Sequence, residues 1–331
     1  MSAERLLGRT GLLVSPIGLG LAALGRPGYI NVGHGDDLGV HRDRASMERG
    51  AHAVLDAAYD AGVRYFDAAR SYGLAEAFLA SWLAARSLAA GSAVVASKWG
   101  YTYTGGWRVD APTHEVKDHS VSVFTRQLHE SRELLGDHLA VYQIHSATME
   151  SGVLDDAAVI DALAEARSTG LRIGLSVSGP RQSEAIWRAL DIRRDGEPLF
   201  QTVQATWNLL ERSAEGALSA ASTAGVGVII KEALANGRLA RIDRDEGRPR
   251  FRPLIDLAND LAVEMDQLAL ACALAQSWAS VVLSGATTVP QLRSNLRARE
   301  ILLAEDVVQR LADLRLDAAT YWRERSELPW N

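Results

Sequence analysis

The stretch "VRYFDAARSYG", residues 63–73, decides how the chain reads. A short apolar run ends on an acid, Asp67. Small residues follow, and Tyr72 comes five positions after the Asp. Helical patterns flank it, "SMERGAHAVLDAAYDAG" (46–62) before and "LAEAFLASWLAAR" (74–86) after. A short continuous apolar run between two helices reads as a parallel strand covered on both faces. A polar residue at the end of such a strand is a helix cap or turn residue about as often as a catalytic one. The fold decides between the two, because the strand ends of an α/β barrel carry its chemistry.

The same alternation runs through the chain. Strands are expected at "VSPIGLG" (14–20), "VRYFDA" (63–68), "AVVASK" (93–98), "LAVYQIH" (139–145), "LRIGLSV" (171–177), "FQTVQAT" (200–206), "VGVIIK" (226–231) and "SVVLSG" (280–285). Amphipathic helices lie between them, the first with Ser46 as its expected N-cap. Eight strands with intervening helices predict an α/β fold of the (β/α)₈ TIM-barrel type, with an open doubly wound sheet as the competing architecture. No composition break divides the chain, so residues 1–331 read as one domain. Ahead of the first barrel strand, "RLLGRTGLLV" places two apolar pieces around Gly8-Arg9-Thr10-Gly11. This reads as an N-terminal β-hairpin able to cap the barrel bottom.

Composition narrows the function. The chain has 331 residues and a net charge of −6, against a nucleic-acid partner. No apolar run is long enough to cross a bilayer, so no membrane role is expected. No signal peptide is apparent at the N-terminus. A single cysteine, Cys272, excludes an internal disulfide and fits a cytoplasmic home. Its apolar helical neighbours make it a buried structural thiol.

Three connections are long: 21–45, 99–119 and 232–252. All follow expected strands, so in a barrel they surround the catalytic mouth. Tyr29, Trp99, Tyr101, Tyr103 and Trp107 on them are candidate substrate walls. His34 and His41 sit seven apart among acids, a pattern of a solvated loop rather than a metal site; no metal is expected. The C-terminal "YWRERSELPW" (321–330) could pack on the barrel, cover the pocket or meet another subunit.

At the strand ends stand Asp67 with Tyr72 just beyond it, Lys98 and His145. In a barrel these four converge. A lysine ammonium beside a phenol stabilises the tyrosinate and lowers the phenol pKa, a carboxylate holds the ammonium, and a His can bond a substrate oxygen. Each residue alone is more often structural, and only the set carries weight. Arg70 and Ser71 have no role at this level.

The chain resembles the aldo-keto reductases. "LGRTGLLVSPIGLG" is similar to their opening hairpin and first strand, "VRYFDAARSYGLAE" to their Asp-x-x-x-x-Tyr-Gly segment, "ASKWG" to their Lys segment and "GDHLAVYQIH" to their His segment. "GLRIGLSVS", "VQATWNLLER", "GVGVIIKEALANGRL" and "LSGATTVPQLRSN" resemble the cofactor segments, in order over almost the whole chain. The resemblance implies a (β/α)₈ barrel and hydride transfer between a nicotinamide cofactor and a small-molecule carbonyl or alcohol. It implies Tyr72 as general acid, Lys98 as the group lowering its pKa, Asp67 as the partner of Lys98, and His145 as the group orienting the carbonyl. Ser176 and Gln204 would hold the nicotinamide amide, Leu234, Gly237 and Leu239 the pyrophosphate, and Gly285, Thr287, Gln291 and Asn295 the adenosine. Lys231 stands where the family often has an aromatic or Arg against the nicotinamide. The alternative reading of Lys231 is a simple pair with its neighbour Glu232. Thr287, Thr288 and Gln291 stand where a cation commonly meets a 2′-phosphate, with Arg293 close by. The family implies NADPH, with NADH the rival. Two other functions compete. One is a Lys98 Schiff-base lyase, disfavoured because an ammonium paired with Asp67 is a poor nucleophile. The other is a non-catalytic nicotinamide sensor of the same fold.

Overall fold

The computed structural model describes residues 4–39, 41–240, 249–304 and 306–331. Part of the long connection 232–252 therefore lies outside the described residues. All eight expected strands form: β1 (Ile17–Gly20), β2 (Tyr65–Asp67), β3 (Val94–Trp99), β4 (Leu139–Ala147), β5 (Arg172–Val177), β6 (Thr202–Thr206), β7 (Gly227–Lys231) and β8 (Val281–Ser284). They pair in parallel in sequence order, and β8 pairs with β1 to close the barrel. The helices of eight residues or more are α1 (Arg44–Asp60), α2 (Ala75–Ala85), α3 (Val121–Leu135), α4 (Ala157–Ser168), α5 (Gln182–Asp191), α6 (Glu215–Thr223), α7 (Arg252–Asp260), α8 (Met265–Leu274), α9 (Val289–Arg297) and α10 (Ala318–Ser326). The closed barrel, not an open sheet, is the architecture.

Capping chemistry shifts one boundary. Ser46 does not cap α1; Asp43 does, accepting the Ser46 amide at 3.0 Å. An Asp in extended conformation three residues ahead satisfies an orphan amide as Ser46 would have.

Two apolar layers hold the barrel. Inside it, Tyr65, Val94, Val141, Ile229 and Val281 point inward with Leu7. Outside, a continuous core packs the strands against the helices, with Phe66, Trp82, Tyr142 and Trp207 as its large members. Leu7 belongs to the hairpin, whose arms Arg5–Leu6 and Leu13–Val14 pair antiparallel. The hairpin docks on the strand N-termini. The Arg9 amide donates to the Gly225 carbonyl at 2.8 Å, and Arg172 Nε donates to the Thr10 carbonyl at 3.2 Å. Gly8 has φ +52°, and a Cβ there would come within 2.4 Å of the Gly227 nitrogen. Only glycine fits that approach.

The connection 99–119 is not plain loop. Tyr101–Tyr103 and Glu115–Lys117 form an antiparallel pair standing over the mouth. Among the described residues no helix is long and apolar enough to cross a membrane. Cys272 is buried, and burial pushes its thiol up to about 12.

Candidate active site

Asp67 closes β2, Lys98 is the next-to-last residue of β3, and His145 lies two residues before the end of β4. Adjacent registers, Asp67 opposite Ala96 and Lys98 opposite Gln143, bring them to one mouth of the barrel. Lys98, with a fully buried side chain, is ion-paired with Asp67, whose side chain is 2% exposed. Its Nζ also donates to the Ala68 carbonyl at 3.0 Å and the Tyr72 hydroxyl at 3.4 Å. A buried ammonium costs several kcal/mol unless it is paired and hydrogen-bonded. These three oxygens meet that demand and tie the cation to the phenol.

Asp67 is itself anchored. Its Oδ1 accepts Gln204 Nε2 at 2.9 Å and Gln143 Nε2 at 3.4 Å. Gln204, expected to hold a nicotinamide amide, thus spends its amide nitrogen on Asp67. Gln143 is a residue the sequence reading missed. It lies two positions before His145 on one strand, hence on the same face.

Tyr72 reaches the site because the chain turns sharply after it. Gly73 has φ +62°, and a Cβ there would fall 2.4 Å from the Gly25 carbonyl oxygen. Leu74 donates its amide to the same carbonyl at 2.7 Å. One expectation is corrected here. Burial pushes the Tyr72 phenol well above its ordinary value, the Asp67 carboxylate pushes it further, and Arg26 only partly offsets this. Burial and the Asp67 carboxylate set the direction, so the resting phenol is raised rather than lowered as expected.

The His145 ring meets Tyr72 edge-on at 5.4 Å and lies against Tyr101 at 4.9 Å. Its Nδ1 is 3.3 Å from Ser71 Oγ. Burial holds the imidazole well below its ordinary pKa, and the charges of Lys98, Arg26 and Lys231 add to this, so it is neutral. Ser71 thereby gains a place. Arg70 is structural, paired with Glu76 and, at 2.7 Å, with Glu130.

A cavity of about 780 Å³ opens at this mouth, bounded by Asp67, Tyr72 and His145 and reaching Gln291, Ser294 and Asn295 on α9. Ser176, Gln204, Lys231 and Leu234 line it, as do Gly237, Gly285, Gln291 and Asn295. Two expected cofactor residues do not. Leu239 is fully buried in the core beneath α10, and Thr287 bonds Gln291 Oε1 through amide and hydroxyl, both at 3.0 Å. Arg293 is exposed and does not line the cavity. Of the candidate substrate walls, Tyr29 and Tyr101 line the cavity. Trp99 is fully buried and packs on Phe124 at 4.9 Å. Tyr103 and Trp107 bond each other, and the Trp107 indole donates to the Arg42 carbonyl at 2.7 Å. Trp99 closes β3 with its side chain on the helix-facing side, and the other two lie outside the rim. His34 is buried against Tyr29 and His41 is exposed. Among the described residues no cluster of three or more His, Cys, Asp or Glu is arranged to hold a metal.

Other cavity residues come from segments that the sequence could not join. Arg26 is paired with Glu115, and its guanidinium lies over Tyr29 at 5.1 Å, Tyr72 at 5.2 Å and Trp330 at 4.9 Å. The C-terminal segment covers the mouth. Trp330 stacks on His114 at 3.8 Å, and the Asn331 backbone pairs with Tyr29 at 3.2 and 3.3 Å. Arg325 of α10 grips the Glu232 carboxylate, its Nε 2.9 Å from Oε2 and 3.0 Å from Oε1. Lys231 pairs with Glu232 as well, more loosely, its Nζ 3.9 Å from Oε1, and it donates to Thr206 Oγ1 at 2.8 Å. Burial lowers the Lys231 ammonium to about 8, although Glu232 opposes this. Burial raises the Glu232 carboxyl, but Arg325 and Lys231 outweigh it and hold it at about 2.

A nicotinamide dinucleotide fits these residues. The volume is in the usual range for ligand pockets, roughly 300–1,000 Å³. Asn236 lines the cavity at 5% exposure; its Nδ2 bonds the Ile30 carbonyl at 3.0 Å, while its Oδ1 has no partner among the described residues. The first turn of α9 also faces the cavity.

Comparison with known proteins agrees. The chain is 28% identical to the uncharacterized oxidoreductase YrpG of Bacillus subtilis, over 93% of this chain and 94% of that protein. It is 26% identical to pyridoxal 4-dehydrogenase of Microbacterium luteolum, over 89% and 92%. Its fold superposes on that of aldo-keto reductase AKR11C1 from Bacillus halodurans, holo form, with a TM-score of 0.71 at 23% identity, covering 96% and 98%. The Aldo/keto reductase family model matches residues 16–315, and the chain belongs to that family of oxidoreductases.

Proposed function

We propose that this chain transfers hydride between a nicotinamide cofactor and a small carbonyl compound or its alcohol, with Tyr72 as general acid and base. The observation that carries this is the buried Asp67–Lys98 pair, 3.4 Å from the Tyr72 hydroxyl and beside neutral His145. A bound nicotinamide supplies or accepts the hydride. Tyr72 gives its phenolic proton to the carbonyl oxygen as alkoxide character develops. The site holds that phenol protonated, the required starting state for reduction. Lys98 stabilises the tyrosinate as it forms, and Asp67 keeps the ammonium in place. Ser71 at Nδ1 leaves the Nε2 of His145 to bond the carbonyl oxygen and fix its angle. Ser176 Oγ accepts the Ser146 amide at 2.8 Å, which leaves its proton free for the nicotinamide amide.

The substrate is a small molecule admitted between Tyr29, Tyr101 and Trp330. Two relatives are named as dehydrogenases, pyridoxal 4-dehydrogenase and D-threo-aldose 1-dehydrogenase, so alcohol or sugar oxidation belongs in the test. Purified protein is assayed for NADH and NADPH oxidation over a panel of aldehydes, and for the reverse reaction with alcohols and sugars. Turnover is expected, and Tyr72→Phe should lower it about 10²- to 10⁴-fold with cofactor affinity little changed. Full activity in Tyr72→Phe would overturn the mechanism. Tight cofactor binding with no turnover on any substrate would favour the sensor reading.

A further inference from the structure

We propose that the adenosine end of the cavity selects NAD(H) over NADP(H), with the Asp266 carboxylate as the discriminating group and Glu264 beside it. This rests on the reading that the cavity takes a nicotinamide dinucleotide. The family resemblance implies the phosphorylated cofactor, and the lining of this chain argues the reverse.

Glu264 caps α8 and Asp266 is its second residue; both line the cavity together with Ser294 and Asn295 of α9. Asn295 orients the acid. In the orientation that satisfies both ends of its amide, it accepts Ser284 Oγ at 2.8 Å and donates to Asp266 Oδ2 at 2.9 Å and to the Gln291 carbonyl at 3.3 Å. Besides Asn295, the described neighbours that act on Asp266 include Ser294, Gln267 and Glu264. Among the described residues the cations lining the cavity are Arg26, Lys231 and Arg325. Each is held elsewhere, by Glu115, Thr206 and Glu232 respectively. Gln291 is neutral, and its Oε1 is turned back to Thr287.

A ribose with free 2′- and 3′-hydroxyls offers donors, and a carboxylate is an acceptor only. A 2′-phosphate offers acceptors only and brings nearly two negative charges. Against Asp266 it exchanges a charge-assisted hydrogen bond for like-charge repulsion in a partly buried site. Asn236 Oδ1, a buried acceptor on the cavity wall with no partner among the described residues, can be met by a hydroxyl or amide of either dinucleotide and so marks a ligand without choosing between the two.

The full chain is titrated with NADH and with NADPH, without substrate, by nucleotide fluorescence or calorimetry. NADH is expected to bind at least about tenfold tighter. Asp266→Asn should shrink that ratio by about tenfold, chiefly through tighter NADPH. Glu264→Gln keeps the cap and lies at an exposed position, so it folds even where the first variant does not; it should shift the ratio the same way by less. NADPH binding as tightly as NADH, or the two affinities moving together in the Asp266 and Glu264 variants, overturns the inference while leaving the cofactor reading in place. Binding of neither nucleotide overturns both.

Discussion

Tyr72 depends on two glycines for its position. A Cβ on Gly25 would lie 2.2 Å from the Tyr72 carbonyl oxygen, and one on Gly73 would lie 2.4 Å from the Gly25 carbonyl oxygen at φ +62°. Gly73→Ala must therefore open this crossing and carry Tyr72 with it. It should cost stability by about 1–3 kcal/mol and cut kcat well beyond what that loss explains, while cofactor affinity stays within a few-fold. Thermal unfolding, steady-state kinetics and cofactor titration check this, and unchanged kcat would refute it. Ser71→Ala probes the other support. Losing the Oγ at His145 Nδ1 should lower kcat/KM by a few-fold and leave cofactor binding intact, measured by the same kinetics and titration. The proton-transfer candidates were legible in the sequence because each stands at a strand end or one turn beyond it. Arg26, Glu115 and Asp266 were not, because each reaches the cavity from a loop, a rim strand or a helix start whose position depends on the tertiary fold. The Tyr72 phenol went the other way from the simple pairing argument because burial, and after it the Asp67 carboxylate, raises it.

At the scale of elements, α10 is the least expected feature. Nothing in "YWRERSELPW" says which face of the barrel it meets, but Arg325 and Glu232 answer that with a bidentate pair at the end of β7. Removing one member leaves a charge stranded at 8% exposure. Arg325→Met should cost about 2–3 kcal/mol, the low end for a buried pair because Arg325 is partly exposed, and should loosen α10 before the barrel. Hydrogen exchange localises the change, and Glu232→Gln in the same chain should restore part of it. The pH dependence has a definite sign. The Glu232 carboxyl is held at about 2, below its unfolded value near 4.3. Its contribution is present above that unfolded value and is lost as pH falls toward 2. Denaturant unfolding from pH 6 to pH 2.5 should show the gap between wild type and Arg325→Met closing on acidification; a constant gap would refute the assignment. Strands, by contrast, were legible as elements, since runs such as "VGVIIK" are buried on both sides. The pair formed by Tyr101–Tyr103 and Glu115–Lys117 was hidden because its residues are half-buried or exposed, so no hydrophobic period marks it.

The whole molecule separates stability from chemistry along the barrel axis. The alternation of strands and helices foretold the closed barrel, and the Gly8–Gly11 turn foretold the hairpin. What the sequence could not convey is that the hairpin supplies part of the barrel interior. Leu7 is fully buried among Tyr65, Val94, Val141 and Ile229, and Gly227 makes room for it, since a Cβ there would lie 2.7 Å from Leu7 Cγ. Asp67, Lys98 and His145 stand at the opposite ends of the same strands. Leu7→Ala leaves a void at the bottom that rigid strands and the docked hairpin cannot close, so the loss should be about 2–5 kcal/mol. The site should not respond, because the Asp67–Lys98–Tyr72 linkage is fixed at the far ends of β2 and β3 and by the Gly25–Gly73 crossing, away from where Leu7 meets Tyr65 and Val94. A lower denaturant midpoint with an unchanged slope, alongside unchanged cofactor affinity and kcat below the transition, is the expected result. A shift in cofactor affinity of several-fold would mean that the strands transmit strain from bottom to mouth, and the separation would fail.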